Sequence, residues 1–67
     1  MREIIIEIKQ RLKADREDIE AEIGVFEVTE EDGDSVIIET ETLEYRVAIS
    51  PMTGKLIIKE IGYEGIF

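Results

Sequence analysis

The chain has 67 residues, with 17 Asp and Glu against 8 Lys and Arg, a formal net charge of −9 and a pI near 4.3. That length bounds it to one small domain, residues 1–67, near the size below which an apolar core needs staples, and its charge opposes attraction to phosphate backbones or anionic lipid. Cys and His are both absent, which excludes disulfides, thiolate and imidazole metal sites, Cys nucleophiles and the commonest general base.

The first element in chain order is a long amphipathic helix from Glu3 to Ile23, closed by Gly24. At about 100° per residue, Ile4, Ile5, Ile8, Leu12, Ile19 and Ile23 fall in one stripe, with Glu3, Glu7, Gln10, Lys13, Glu17 and Glu20 outside it. Asp15 projects near the middle of the stripe, between Leu12 and Ile19. It either leaves a hole there or caps a second short helix beginning at Arg16, with a kink near Ala14 and Asp15. A rival reading makes Glu3 to Ile8 a strand, because Ile4, Ile6 and Ile8 alternate and Ile has high β propensity. No turn signal parts Ile8 from Lys9, so the continuous helix is preferred. Gly24 is placed to take a left-handed closing position.

After Gly24 the apolar period changes to two. Val25 to Glu30 reads as a strand with Phe26 and Val28 on one face. Asp32-Gly33 is a strong hairpin signal, and Ser35 to Glu41 is the return strand, with Val36 and Ile38 aligned. Thr42 begins another turn. Leu43, Tyr45, Val47 and Ile49 alternate with Glu44, Arg46, Ala48 and Ser50 in a third strand. The turn Ser-Pro-Met-Thr-Gly follows, with Pro51 fixing φ and Gly54 free to take a positive φ, and Lys55 to Ile61 completes a second hairpin.

The fold expected is α+β: one N-terminal amphipathic helix packed on one face of a four-stranded antiparallel β-meander. The inward face would carry Phe26, Val28, Val36, Ile38, Leu43, Tyr45, Val47, Ile49, Leu56 and Ile58. The outer face is less polar than a solvated sheet face should be. Val25, Ile37, Ala48, Ile57 and Ile61 point away from the helix, and the tail adds Tyr63, Ile66 and Phe67. Either the tail closes over that face or another chain covers it, a symmetric homodimer being the commonest solution. The candidate protein-interaction residues are therefore Val25, Ile37, Ile57, Ile61, Tyr63, Ile66 and Phe67.

No residue set points to catalysis. Glu30, Glu31, Asp32 and Asp34 cluster in one loop, but their spacing fails the calcium-loop pattern and fits a solvated turn. Ser35 and Ser50 have no His to activate them, and no Gly-rich phosphate loop exists. Asp15 is the one acid near the apolar stripe, and N-cap preference accounts for it. Arg46 and Lys59 beside Tyr45 do not make a basic-aromatic strip for single-stranded nucleic acid. The expected partner is a protein, which includes the chain itself; no nucleic acid, membrane, metal or cofactor is called for. The bland account of the acid is solubility. A sharper alternative is a nucleic-acid mimic, or an inhibitor of a basic protein.

No secretory signal is visible, since the start carries acids inside its apolar run and lacks a small-residue cleavage site. The expectation is a cytoplasmic protein. Asn and Trp are missing while Glu and Ile are abundant, which leans towards thermostability.

The stretch Tyr45-Arg-Val-Ala-Ile-Ser-Pro-Met-Thr-Gly-Lys-Leu resembles the signature of PepSY domains. Their pattern is an aromatic, alternating apolar strand, a short turn ending in Thr-Gly, and another apolar strand. The likeness covers roughly Ala14 to Glu60, with Tyr45, Val47, Ile49, Thr53, Gly54 and Leu56 matching best. Ser50 departs from it, standing where the family usually has Asp, and no export signal matches the family's mostly extracytoplasmic setting. The resemblance implies a non-catalytic helix-plus-sheet module that binds or restrains another protein, often a peptidase.

Overall fold

Two helices occupy the N-terminal stretch: α1 (Arg2–Ala14) and α2 (Arg16–Ile23). The computed structural model of the chain describes residues 2–62. Tyr63, Ile66 and Phe67 lie outside the described residues. Ile4, Ile6 and Ile8 are helical, so the strand alternative for that segment is not adopted. The apolar stripe accounts for this: Ile5, Ile8, Leu12 and Ile19 are buried in the core, Ile4 and Ile23 pack against it, and Ile6 on the other side is exposed.

The expected single helix is interrupted at Asp15. Its φ of −103° and ψ of 19° fall in the sparsely allowed bridge region. The Asp15 N–H still donates to the Arg11 carbonyl at 2.9 Å, and its carbonyl accepts from Ile19 N–H at 3.0 Å. The ladder therefore passes through the bend, and the carboxylate makes no cap bond. A continuous helix would aim that carboxylate into the apolar stripe, where an unpaired charge is costly. The bend leaves Asp15 exposed and lets Ile19 rejoin the core.

Gly24 closes α2, its N–H donating to the Glu20 carbonyl at 2.9 Å. Its φ is positive as expected, but with φ 96° and ψ 175° the backbone is extended rather than left-handed helical. That region is essentially reserved for glycine. It swings the chain directly into the sheet.

The strands are β1 (Glu27–Asp32), β2 (Ser35–Glu39), β3 (Glu44–Ile49) and β4 (Leu56–Gly62), ordered β1-β2-β3-β4 with every neighbouring pair antiparallel. Asp32 pairs with Ser35, so the first loop is Gly33-Asp34, one residue later than Asp32-Gly33. Gly33 has φ 65° and no non-glycine residue among those described has a positive φ. A positive φ at the first central position alone is the type II′ pattern. In the last turn Ser50 Oγ accepts from Met52 N–H and Thr53 N–H, both at 3.2 Å.

Phe26, Val36, Ile38 and Val47 join the buried cluster, with Tyr45, Ile49, Leu56 and Ile58 partly buried against it. α1 contacts β2 and β3. Two expected inward residues differ. Leu43 precedes β3 and stands apart from the cluster, and Val28, on edge strand β1, is 39% exposed. Val28 still pairs with core residue Ile38, but it lies at the sheet's edge; beyond it a bulge steps the register from Val28↔Ile38 to Glu30↔Ile37, leaving Thr29 as the extra residue. Past the bulge Glu31 lies opposite core residue Val36, on the side facing α1, where Lys9 pairs with it.

Candidate functional site

The second face of the sheet is defined by register, because directly paired residues point the same way. Across it run Ile37, Arg46 and Lys59 in one row, and Ala48 and Ile57 in the next. Ile57 on this face is 48% exposed. Ile61, 43% exposed, is the extra residue of a bulge on β4, where the register steps from Tyr45↔Glu60 to Glu44↔Gly62, so no pairing assigns it to a face. Ile37 lies on the same face yet is 5% exposed and absent from the main core cluster, so within this face it is covered rather than offered. Val25, 69% exposed, stands in the α2–β1 link at the mouth of a cleft shared with Thr40 and Glu41. The row Glu27–Glu39–Glu44–Gly62 places Val25 and Ile61 at the same end of the sheet. Ile57 sits towards the other end. Tyr63, Ile66 and Phe67 fall outside the described residues.

Arg46 gives this face a polar anchor that the sequence did not reveal. Its Nη1 donates to Asp32 Oδ2 at 2.8 Å and to Ser35 Oγ at 2.9 Å. Ser35 Oγ donates in turn to the Asp32 carbonyl at 2.9 Å. The hydroxyl is thus committed to the turn, and Ser35 is buried.

A different arrangement lies between α2 and β4. Asp15, Asp18, Ile19 and Glu22 form one wall of an open groove of about 320 Å³ whose other wall is Leu56 and Ile58. Asp15, Asp18 and Glu22 follow an i, i+3, i+7 spacing, so they share one helical face. Among the described residues, no ion pair or side-chain hydrogen bond engages those three carboxylates. The sequence carried this signal in the spacing, but Asp15 read as a cap obscured it. Arg16 fixes α2 relative to the sheet. Its Nη2 donates to the Phe26 carbonyl at 2.6 Å, its Nε pairs with Glu20 at 2.8 Å, and its guanidinium lies 4.5 Å from the Phe26 ring centroid.

The acid-rich loop is dispersed by pairing: Glu31 meets Lys9, and Asp32 meets Arg46. Among the described residues no group of three or more carboxylates is placed to hold a metal ion, and no helix is long and apolar enough to cross a membrane. Compared with protein-family models, curated proteins and solved structures, the chain matches none.

Proposed function

We propose that this chain is a small acidic, non-enzymatic protein-interaction module that self-associates through the outer sheet face. In this reading the two helices form one layer across the other face, and Ile57 and Ile61, with Val25 at their edge, meet their equivalents in a second copy. The carrying observation is the large aliphatic side chain of Ile57, 48% exposed and paired with Ala48 on a face with no helix assigned to it, with Ile61, 43% exposed, further along the same strand. Exposed apolar surface of this kind commonly marks interaction sites, and a two-fold contact uses one self-complementary patch twice. The hydroxyls of Ser35 and Ser50 are held in turn hydrogen bonds, which favours a binding role over nucleophilic chemistry. The PepSY-like strand-turn-strand points towards the same class of function.

Sedimentation equilibrium from micromolar to millimolar protein tests the proposal. A dimer that reverts to monomer with Ile57→Asp supports it. A monomer throughout, unchanged by the substitution, sinks self-association.

A further inference from the structure

β4 and β1 both end the sheet, but they are not alike. β1 is blunted by the bulge at Thr29, and each of its residues is at least partly open to solvent; Glu27, Glu30, Glu31 and Asp32 line it. Such charges and bulges are how edges resist pairing. β4 runs from Leu56 to Gly62; its bulge falls at Ile61, near one end, and Leu56 to Glu60 keep a regular register with β3 and an outer edge free among the described residues, beside which lies the groove walled by α2.

We propose that this groove takes an extended segment of another protein in which Lys or Arg alternates with aliphatic residues, added as a fifth strand along β4. Parity and charge both point to such a segment. A strand sends alternate side chains to opposite faces. Those on the helix side would pass over Leu56 and Ile58, which pack towards the core, and end at Asp15, Asp18 and Glu22. Long cationic side chains suit both demands, since their stems cover apolar surface while their heads reach the carboxylates. Same-face positions on a strand are about 6.8 Å apart. Residues four apart on a helix, as Asp18 and Glu22 are, rise about 6 Å along its axis. With such similar repeats, a strand lying along α2 would set successive cations opposite successive carboxylates. Side chains on the opposite face would lie beside Ile57 and the stem of Lys59, hence the aliphatic alternate positions.

Other occupants fit less well. A second copy brings another net charge of −9. Residues 63–67 of this chain contain no Lys or Arg. The inference rests on the reading of the chain as an interaction module, but it is carried by the α2 groove and the β4 edge and meets the outer face only at its margin, so loss of the dimer would leave it standing.

The test is an NMR titration with a short amidated peptide of alternating Lys and Val, compared with one of equal composition in two blocks. The expected result is saturable amide shifts on residues 15–23 and 56–62, with the block peptide binding about tenfold more weakly because it cannot satisfy both faces. The surface variant Asp18→Asn/Glu22→Gln should weaken the alternating peptide by about tenfold, and the remote variant Glu41→Gln should not. Equal binding of both peptides, shifts spread over the whole acidic surface, indifference to the double variant, or no binding overturns the proposal. So does a set of residue 15–23 shifts that responds to dilution of the protein alone, which would assign the groove to a second copy.

Discussion

Arg46 Nη1 donates to Ser35 Oγ at 2.9 Å, across neighbouring strands and beneath the first hairpin turn. The same nitrogen reaches Asp32 Oδ2 at 2.8 Å, so one cation on β3 ties both ends of the β1–β2 loop. Ser35→Ala should destabilise the fold by about 1–2 kcal/mol, the cost of leaving buried polar groups short of partners. Arg46→Met should cost about 1 kcal/mol, less because its side chain is 43% exposed. A double-mutant cycle read by urea unfolding should give a coupling of about 0.5–1.5 kcal/mol. Strict additivity would mean that the two side chains do not act together.

Gly24 turns the chain from α2 into the sheet at φ 96° and ψ 175°. A Cβ there would meet no heavy atom within 4 Å, so the cost of Gly24→Ala is backbone strain alone, about 1–3 kcal/mol. Equilibrium unfolding should show the midpoint falling at constant slope. An unchanged midpoint would mean that the closing geometry is different.

The α1 stripe makes a paired prediction. Ile8 is fully buried and Ile6 is 53% exposed. Ile8→Ala should cost about 2–5 kcal/mol, a large part of the stability open to so small a domain, and leave a chain substantially unfolded at room temperature by circular dichroism. Ile6→Ala should change stability by less than about 0.5 kcal/mol. Similar losses at the two positions would contradict the helical register.

Most of the architecture could be read from the chain, and the misses have physical reasons. Alternation in Leu43 to Ser50 and the turn residues Gly33 and Gly54 located three strands within a residue or two, because period and φ requirement are local properties. Asp15 was legible as an interruption of the stripe, though not as a bend that keeps its backbone hydrogen bonds. The Thr29 bulge left no trace, since the apolar alternation of β1 stops at Val28 and nothing beyond it betrays a change of face. Ile37 shows the limit of parity: alternation says which way a side chain points, not whether it is covered. The Arg46–Asp32–Ser35 cluster joins residues from three strands, and no local pattern announces a contact of that range. The α2–β4 groove was half visible, in the spacing of Asp15, Asp18 and Glu22, but its apolar wall comes from a strand more than thirty residues away.

Salt separates the two proposed surfaces. Two copies of a chain with net charge −9 repel, and screening at about 0.1 M, where the Debye length is about 10 Å, relieves that repulsion. Outer-face self-association should therefore strengthen as salt is raised, whereas the cationic segment in the α2–β4 groove should weaken. Sedimentation and peptide titration over the same salt series would read the two signs. The same sign for both would refute one of them.

The outer face itself can be interrogated directly, because the chain has no cysteine and a single introduced one reports one place. A spin label on Ala48→Cys, whose parent residue pairs with Ile57 on that face, is mixed with isotope-labelled unmodified protein at millimolar concentration. Broadening across molecules should fall on Ile57 and Lys59, and should be absent when the label is moved to exposed Lys13 on α1. Broadening confined to residues 15–23, equal from both label sites, or missing altogether would contradict the assignment of that face as the meeting surface.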